Sequence, residues 1–496
     1  MSAIIATYFL CALLLTLYGV NTHILIQLFK RSSRCVEADK KYLAEFYHPN
    51  PACTLTAGLE DLLPVVTTQL PVYNELNVVE RLIDAVAAFQ YPHGKHEIQV
   101  LDDSTDEGRH LVAEKVKRLR QKGIQIHHIT RTHRQGFKAG ALRNGLVSAK
   151  GEFIAIFDAD FIPQPDFLLR AVPFFQAEQR LALVQARWGH TNENESWVTR
   201  LQAVGINGHF MVEQAARSAS KLFMNFNGTA GIIRKEAIID AGNWQGDTLT
   251  EDMDLSYRLQ LCGWRCRFLA DLIAPAEIPS DLNGFKNQQF RWAKGSTQTA
   301  IKLIPRILRS SAVSFAKFQA VMHMTHYLIH PMMLTVAILA PFLLLQKTSF
   351  MSGVLPLLFG LLLLISCTGP SRMYLVAEKS LGRTYWKTLL FLPLMVCMGC
   401  GLALNNSRAV FEAIVGKTSE FVRTPKKGKN SRKMYTAPKS PLILLEILIG
   451  LWCLFGVTLY FNFQHYLIGH FMLIYAIGFL SIGIVSWRHA VKKVSG

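Results

Sequence analysis

Apolar residues follow two different patterns along this chain of 496 residues. At the start and in the last third they form runs close to the roughly 20 residues that an α-helix needs to cross a bilayer. Between them, in the segment 60–275, short apolar runs alternate with longer stretches that have helical spacing. The pattern predicts a folded α/β domain placed between membrane helices.

The alternation in the middle segment indicates a parallel sheet. Strand-like runs occupy 65–70, 97–101, 124–129 and 152–157. Helix-like stretches separate them and occupy 76–90, 109–122 and 137–150. The run Phe-Ile-Ala-Ile-Phe-Asp-Ala-Asp-Phe at 153–161 is apolar up to its first aspartate, which is typical of a strand buried on both faces.

The first apolar run, at 2–29, contains no Asp, Glu, Lys or Arg and predicts a retained transmembrane helix. A secretory signal peptide would begin with basic residues and have a shorter apolar run. Lys30, Arg31 and Arg34 follow the run directly. Because basic residues collect on the cytoplasmic side, we expect the carboxyl end of this helix in the cytoplasm.

The segment 296–496 predicts an amphipathic interface helix and then a helical bundle. Apolar spans are expected at about 319–345, 350–368, 441–461 and 465–486. A further run at 389–404 is ambiguous, because full crossing would put nine Lys or Arg and two Glu of 405–440 outside. We therefore predict five full spans, with this run in the interface or re-entrant, and six spans as the alternative.

These patterns divide the chain into consecutive segments. They are a transmembrane helix at 1–29, a linker at 30–59, an α/β domain at 60–295, an interface helix at 296–318, two transmembrane helices in 319–368, a cytosolic loop at 369–440, two transmembrane helices in 441–486 and a basic tail at 487–496. We expect a multi-pass protein of the plasma or inner membrane with its α/β domain in the cytosol.

Composition supports a membrane protein and excludes other classes. Half of the residues are hydrophobic and 18% are charged, which is low for a soluble enzyme. A net charge of +18 would suggest nucleic acid for a soluble protein, but we find no nucleic-acid module in the sequence and assign much of the charge to membrane flanks. The nine cysteines lack paired zinc-site spacing, so we interpret them as apolar fillers in a reducing compartment.

Polar side chains follow the predicted strands at the edge where open α/β sheets bind ligands. Tyr73 and Glu75 follow the first strand. Asp103 follows the second strand, and Asp158 and Asp160 follow the fourth. Two carboxylates one residue apart can share a hard cation with a diphosphate, although helix capping explains each residue taken singly. The turns lack the glycine-rich dinucleotide pattern, so we do not expect NAD.

Three further motifs come later in the α/β domain. They are Asn-Gly-Thr-Ala-Gly at 227–231, Thr-Glu-Asp-Met-Asp-Leu at 250–255 and Asn-Gln-Gln-Phe-Arg-Trp-Ala-Lys-Gly at 287–295. On a helix, Gln288, Arg291 and Trp292 share one face. An arginine can clamp a diphosphate, and a tryptophan face can stack on a sugar ring. The alternative is an amphipathic helix with its Arg and Trp at a membrane interface.

The order Asp-Asp, Asp-x-Asp, Thr-Glu-Asp and Gln-x-x-Arg-Trp resembles the processive family 2 glycosyltransferases, which include the cellulose synthases. The local sequence around these motifs is most similar to that of the plant cellulose-synthase-like group that makes β-mannan and glucomannan. The strings behind this similarity include Gln-Val-Leu-Asp-Asp-Ser-Thr-Asp, Phe-Lys-Ala-Gly-Ala-Leu, Ile-Phe-Asp-Ala-Asp-Phe and Asn-Phe-Asn-Gly-Thr-Ala-Gly. The match covers about 65–300, and the membrane part is similar in layout alone.

The resemblance implies a GT-A-type, Rossmann-like domain with a mostly parallel sheet, joined to an α-helical transmembrane bundle. It implies that the nucleotide donor is held by Tyr73, Glu75, Asp103, Lys138, Asp158, Gln288 and Arg291. It implies that Mg²⁺ or Mn²⁺ is bound by Asp158 and Asp160. It implies that the acceptor is held by Trp292, Asn227, Gly228, Thr229 and Glu251. Asp252 would be the general base of an inverting transfer.

The basic segment at 421–426 reads Phe-Val-Arg-Thr-Pro-Lys and resembles the gating loop of cellulose synthases. Phe421, Thr424 and Lys426 match that motif, whereas Arg423 replaces an expected valine. The resemblance implies contact with a bound diphosphate. A solvated basic loop at an anionic membrane surface is the alternative.

Three functions remain open from the sequence. The first is a membrane synthase that extends and translocates a β-linked hexose polymer, using GDP-mannose or UDP-glucose. The second is a transferase that adds one or a few sugars to a lipid. The third is a transporter or scaffold whose α/β domain senses sugar nucleotides. We favour the first, with a nucleotide sugar, a glycan acceptor and membrane lipids as partners and with accessory subunits left open.

Overall fold

The computed structural model describes residues 3–47, 62–345, 354–418 and 442–491. In these residues an α/β domain lies against a bundle of long apolar helices. The first of these helices, α1 (Ala3–Phe29), has no charged residue and is apolar around its circumference. Such a helix is expected where lipid and other helices surround the chain on all sides.

Residues 32–47 are helical, although a linker is expected at 30–59. This helix, α2 (Ser32–Tyr47), presents Tyr42, Leu43 and Phe46 to the core of the α/β domain. Leu43 comes one position after Tyr42 and Phe46 comes four positions after it, so the three side chains share one helix face. Their burial against the domain holds 32–47 as a packed helix rather than a free linker.

A seven-stranded sheet forms the centre of the α/β domain. Its strands are β1 (Val66–Val72), β2 (His96–Asp102), β3 (Ile126–Thr130), β4 (Phe153–Ile156), β5 (Leu181–His190), β6 (Gly231–Arg234) and β7 (Arg265–Ala276). Their spatial order is β3-β2-β1-β4-β6-β5-β7. Strand β6 runs antiparallel to both of its neighbours, and the other pairs are parallel. The predicted mostly parallel sheet is confirmed.

Strand β4 lies in the middle of the sheet and is buried along its whole length. Phe153 and Ala155 belong to the apolar core on one face, whereas Ile154 and Ile156 belong to the core on the other. The pleat of the strand sends successive side chains to opposite faces in this way. Both faces are apolar, so a charged side chain has no place within the strand. The first one, Asp158, follows the end of the strand.

Helices cover both faces of the sheet. In chain order they are α3 (Val79–Ala87), α4 (Gly108–Gln121), α5 (Phe137–Ser148), α6 (Phe167–Ala171), α7 (Pro173–Ala177), α8 (Trp197–Asn207), α9 (Ala215–Ala219), α10 (Lys235–Asp240) and α11 (Glu251–Leu261). A π-helix at Gly208–Gln214 joins α8 to α9. π-Helical turns are rare in proteins and are frequently found at functional sites.

A helix of 28 residues, α12 (Leu282–Arg309), connects the α/β domain to the membrane part. The predicted boundary between 295 and 296 falls inside this helix. The Gln-x-x-Arg-Trp motif and the basic interface segment are therefore parts of one continuous element, and the expected separation between domain and interface helix is not present.

The remaining helices form the bundle. They are α13 (Ser314–Met324), α14 (Ile329–Leu345), α15 (Leu355–Ser380), α16 (Tyr385–Gly401), α17 (Ala403–Ile414), α18 (Ile443–Asn462) and α19 (Tyr466–Val491). Five helical segments are long and apolar enough to cross a membrane: Ala3–Tyr47, His326–Leu344, Leu357–Ser380, Ile443–Asn462 and Tyr466–Arg488. Helices α16 and α17 meet this criterion only as a pair bent by 41°, so the described residues give five or six spans, as the sequence also allows.

A buried carboxylate on α15 fixes the α/β domain to the bundle. Glu378 is fully buried, accepts a hydrogen bond from Asn207 Nδ2 at 2.7 Å and pairs with Arg200 Nη2 at 2.9 Å. Tyr374, one turn earlier, packs so closely on Gly208 that a Cβ there would lie 2.8 Å from the Tyr374 ring. The π-helix therefore begins at the contact between the domain and the bundle.

A second buried ion pair joins α12 to the bundle, and it predicts a loss of stability. Lys286 Nζ lies 2.5 Å from Glu446 Oε1, and the two side chains are 1% and 0% exposed. Removing one partner leaves an uncompensated buried charge, which costs about 3–5 kcal/mol. We therefore expect Glu446→Gln to lower the thermal midpoint of unfolding in detergent, followed by tryptophan fluorescence.

The double variant Lys286→Met/Glu446→Leu is the matched control for this prediction. It removes both charges at once and replaces them with apolar side chains of similar size. We expect the double variant to recover most of the lost stability. Equal unfolding midpoints for the wild-type and Glu446→Gln proteins would contradict the prediction.

Candidate active site

The carboxyl ends of β1, β2 and β4 open onto a cavity of about 210 Å³. Asn74 joins two of these ends, because its N–H donates to Ser104 Oγ and its Oδ1 accepts from Thr105 N–H, both at 2.9 Å. Asn74 has a φ of 54°, a left-handed conformation that asparagine tolerates better than most residues. The turn brings Tyr73 and Asp103 to the same cavity.

Two arginines that follow β3 contact these residues. Arg131 Nε donates to Asp103 Oδ1 at 2.9 Å. The Arg134 guanidinium lies 3.3 Å from the centroid of the Tyr73 ring, a close cation–π contact. Neither arginine is among the site residues expected from the sequence. Their position after a predicted strand, at the same sheet edge as the carboxylates, is the signal that identifies them.

Lys138 connects the end of β4 to the loop before β6. It lies in the first turn of α5, which begins after Gly136 at a φ of 71°. Its Nζ donates to Asp158 Oδ1 at 2.6 Å and to the Gly228 carbonyl at 2.8 Å. Burial alone would lower the pKa of this ammonium group, but the carboxylates of Asp158 and Glu251 outweigh burial and raise it. Lys138 is therefore a fixed positive charge.

Helix α11 presents one aspartate of its Asp-Met-Asp sequence to the cavity and buries the other. Asp252 lines the cavity. Asp254 is fully buried and pairs with Arg258 at 2.7 Å and Lys302 at 2.8 Å. Glu251 and Asp252 both lie in the first turn, where the helix dipole favours negative charge. The negative charge of Asp254 is thus balanced by two basic side chains, and Asp252 is the aspartate that faces the cavity.

Two glycines allow neighbouring segments to pack directly on the start of α11. Gly228 has a φ of +82°, and a Cβ on it would lie 2.7 Å from Asp252 Oδ2. Gly295 of α12 contacts Thr250, where a Cβ would lie 2.6 Å from the Thr250 Cγ2 methyl. No room for a methyl group remains at either position. The start of α11 is therefore held between the loop 227–231 and α12.

The pKa of the Asp252 carboxyl is raised to about 7. Burial is the largest cause, and the neighbouring Glu251 carboxylate adds to it. Burial also raises the pKa of Glu251. Proton transfer is most efficient when the pKa of the transferring group lies near the working pH. A carboxyl group with such a pKa can take up a proton at neutral pH.

The three motif residues Gln288, Arg291 and Trp292 lie on one face of α12, and all three line the cavity. Burial lowers the pKa of Arg291 to about 10, so its guanidinium remains charged at neutral pH. The carboxylates of Glu251 and Asp158 are the charged groups with the strongest effect on it. The guanidinium is thus a partly buried cation that lines the same cavity as the strand ends.

Asp158 and Asp160 offer the oxygen ligands that Mg²⁺ and Mn²⁺ prefer. The charged lining of the cavity has an excess of carboxylates over basic groups: Glu75, Asp103, Asp158, Asp160, Glu251, Asp252 and Glu277 against Arg134, Lys138 and Arg291. This excess fits a divalent cation. Within the described segments, no three His, Cys, Asp or Glu side chains form a ready-made metal site. Further ligands therefore have to come from a bound phosphate or water.

Most of the site residues expected from the sequence meet in this cavity. They are Tyr73, Glu75, Asp103, Lys138, Asp158, Asp160, Asn227, Gly228, Glu251, Asp252, Gln288, Arg291 and Trp292. Thr229 does not line the cavity, because it is fully buried and its Oγ1 accepts from the Asp158 N–H at 2.8 Å. It supports the end of β4 rather than facing an acceptor. Phe421, Thr424 and Lys426 lie outside the described residues.

Two further cavities, of about 400 and 320 Å³, are lined in part by residues of the bundle helices. Asp252, Gln288 and Trp292 line both the first cavity and the second. His330 and Tyr374 line both the second cavity and the third. The three cavities are therefore neighbours, in a row from Asp252 into the bundle. The bundle residues that line them come from separate elements, so no local motif in the sequence marks those residues.

Comparison with known proteins agrees with this architecture. Residues 64–295 match the family described as "Glycosyltransferase like family 2". Glucomannan 4-beta-mannosyltransferase 7 of Arabidopsis thaliana is 33% identical over 454 residues, which cover 87% of this chain and 76% of that protein. The chain belongs to the glucomannan 4-β-mannosyltransferase family. Its α/β domain is a GT-A glycosyltransferase domain, so the family and the fold class expected from the sequence are confirmed.

Other members of the family match over a shorter region. Probable glucomannan 4-beta-mannosyltransferase 7 of Oryza sativa subsp. japonica is 44% identical over 258 residues, which cover 51% of this chain and 44% of that protein. Glucomannan 4-beta-mannosyltransferase 2 of Arabidopsis thaliana is 40% identical over 298 residues, which cover 59% and 54%. The chain thus spans about half the length of these two relatives.

Among solved structures, the chain is similar to a mannosyltransferase from Pyrobaculum calidifontis in complex with GDP-Man and Mn²⁺. The two are 18% identical, with a TM-score of 0.47. The alignment covers 82% of this chain and 100% of that one.

Proposed function

We propose that this chain is an inverting membrane glycosyltransferase that adds hexose units from GDP-mannose or UDP-glucose to a β-linked polysaccharide of the mannan or glucomannan type. The names of its relatives support a mannosyl donor. The row of neighbouring cavities from Asp252 into the bundle supports a polymer that moves through the protein as it grows. The polymer proposal rests on that row of cavities.

The diphosphate of the donor fits between the end of β4 and α12. In the proposed complex Asp158 and Asp160 hold Mg²⁺ or Mn²⁺, which supplies positive charge to the phosphate oxygens. Arg291 and Gln288 contact the diphosphate from the opposite side, and Arg291 provides a planar set of donors. The nucleoside lies against the other strand ends, with Tyr73, Glu75, Asp103 and Lys138 as its proposed contacts.

The transfer itself requires one base. Asp252 takes the proton of the acceptor hydroxyl as the hydroxyl oxygen bonds to the anomeric carbon of the donor. The bond from that carbon to the diphosphate breaks, and its electron pair leaves with the diphosphate, whose new charge Arg291 stabilises. Attack from the face opposite the diphosphate inverts the anomeric centre. Trp292 holds the end of the acceptor, with Asn227 and Glu251 beside it.

In the proposed orientation the bundle lies in the plasma or inner membrane and the α/β domain lies in the cytosol. The basic residues directly after α1 support this orientation, because basic residues collect on the cytoplasmic side. The segment with Phe421, Thr424 and Lys426 remains a proposed contact of the diphosphate.

An assay of purified protein tests this function. Reconstituted protein is incubated with radiolabelled GDP-mannose or UDP-glucose and with Mg²⁺, Mn²⁺ or EDTA. We expect consumption of one of these donors only when a divalent cation is present. The product is expected to be a polymer that β-mannanase or β-glucanase degrades.

The form of the product separates the polymer synthase from its alternative. A short glycoside that extracts into organic solvent would contradict the polymer proposal and support a glycolipid-forming transferase. Failure to consume any donor from a wider panel of sugar nucleotides would contradict a transferase. Full activity in EDTA would contradict the metal assignment to Asp158 and Asp160.

A further inference from the structure

A chain of hydrogen bonds connects the π-helix to the loop that packs on Asp252. Glu213 Oε2 lies 3.0 Å from His209 Nδ1. His209 Nε2 lies 3.0 Å from Asn227 Nδ2. Asn227 precedes Gly228, whose backbone lies directly against the Asp252 carboxylate. The mechanism proposed above uses neither His209 nor Glu213.

The direction of each hydrogen bond follows from its neighbours. The Asn225 carbonyl can only accept, so the Gln214 atom 2.8 Å from it is the donor Nε2. The same nitrogen donates to Asn227 Oδ1 at 2.7 Å, and this turns Asn227 Nδ2 towards His209. Because an amide nitrogen does not accept, His209 Nε2 is unprotonated. The proton of the neutral ring is therefore on Nδ1, which donates to Glu213.

Glu213 is held as an anion at the other end of the chain. Arg217, a fully buried side chain, donates to Glu213 Oε1 from Nε at 3.1 Å and from Nη2 at 3.0 Å. Burial alone would raise the pKa of Glu213, but the Arg217 guanidinium and the His209 hydrogen bond outweigh it, so that the pKa lies well below its usual value. An ionised Glu213 fixes the proton of His209 on Nδ1.

The π-helix makes this arrangement possible. His209 and Gln214 are five residues apart, and both contact Asn227. In an α-helix of 3.6 residues per turn, positions five apart point about 140° away from each other. In a π-helix the repeat joins i to i+5, so both side chains lie on one side. The local geometry thus brings two side chains to the single amide of Asn227.

We propose that His209 is a positioning residue for the transfer reaction. It holds the Asn227 amide, and with it the backbone of Gly228, at the place where the acceptor hydroxyl can reach Asp252. Lys138 anchors the same loop from the other side, through the Gly228 carbonyl. The inference rests on the proposed function, but His209 itself lines the second cavity and not the first.

Two substitutions separate the roles of the two ring nitrogens. The His209→Gln side chain reaches the position of Nε2 and can accept from Asn227 Nδ2. The His209→Asn side chain reaches only the position of Nδ1, so it keeps a contact with Glu213 and loses the one with Asn227. Because one lost hydrogen bond is worth about 1 kcal/mol, we expect His209→Asn to lower kcat roughly five- to tenfold at unchanged donor KM. We expect His209→Gln to stay within about twofold of the wild-type kcat.

The measurements are initial rates over a range of donor concentrations, affinity for the nucleoside diphosphate by calorimetry, and the thermal midpoint of each variant. His110→Asn is the matched control, because His110 is exposed on α4, away from the cavities. Equal kcat values for the two His209 variants, whether both normal or both low, would overturn the proposal. So would a change confined to the donor KM.

A second variant keeps the test decisive if His209→Asn does not fold. Folded Asn227→Ala is then expected to lose at least as much kcat with His209 intact, because it removes both the contact with His209 and the proposed contact with the acceptor. A normal kcat would overturn the inference. The wild-type enzyme is assayed first. Its inactivity with every donor would contradict the proposed function itself, whereas active wild type with indifferent His209 variants would contradict only the role of His209.

Discussion

Asp252→Asn is expected to lower kcat on the order of 10²–10⁴-fold, the usual contribution of a general base. The asparagine has nearly the same shape, so it fits beside Gly228 but cannot take a proton. Binding of the nucleoside diphosphate should remain, since Asp252 contacts the acceptor rather than the donor nucleotide in the proposed complex. Calorimetry with the diphosphate and a rate assay at saturating donor measure the two effects separately.

The dependence of the rate on pH provides an independent check on Asp252. A base works only when unprotonated, so kcat/KM is expected to rise about tenfold per pH unit below pH 7 and to level off above it, because the pKa of this carboxyl is raised to about 7. The residual activity of Asp252→Asn should lack this acid limb, the rise of kcat/KM below pH 7. Asp84→Asn, at an exposed position on α3, is the matched control. Unchanged turnover in Asp252→Asn would exclude Asp252 as the base.

Arg291→Ala is expected to lower kcat on the order of 10²–10³-fold, because it removes the partly buried cation that faces the leaving diphosphate in the proposed complex. A second effect follows from the charges around it. Arg291 lies among the carboxylates of Glu251, Asp158 and Asp252, so its loss should raise the pKa of Asp252 further. The acid limb of kcat/KM should then move to higher pH. A full pH profile of kcat and kcat/KM measures both effects.

Two companion variants complete this test. Arg291→Lys keeps the charge but not the planar set of donors, so it should preserve the position of the acid limb and recover only part of the rate. Arg118→Ala, at an exposed position on α4, should behave as wild type. A loss of less than about threefold in Arg291→Ala would mean that the diphosphate is bound elsewhere.

The sequence predicts the parts of the fold that depend on local pattern. Strand β4 can be recognised in the sequence because Phe153 to Ile156 are apolar on both faces. Parallel strands end at the same edge of a sheet, so Asp103 and Asp158 could be expected to meet there. The shared face of Gln288 and Trp292 follows from helical spacing alone. The burial of β4 and the shared face of α12 depend on residues within a few positions of one another, and the meeting of Asp103 and Asp158 follows from the parallel order of the strands.

Other features depend on contacts that the local sequence does not contain. Helix α2 is stabilised by packing on a distant core. The boundary predicted after Gly295 falls inside α12, where Gly295 and Thr299 both contact Thr250. Thr229 lies within a motif, yet its hydroxyl oxygen accepts a hydrogen bond from the backbone N–H of Asp158. The pairing of His209 with Asn227 needs a π-helix, and no short pattern predicts that geometry.

Helix α12 has a consequence for the proposed polymer. Trp292 and Arg291 lie within two turns of Lys286 on this one helix, and Lys286 is paired with Glu446 of α18. In the proposed complex the site of bond formation therefore keeps a constant distance from the bundle. Under that proposal the product has to shift by one sugar after every addition, so that the place of the next donor is cleared.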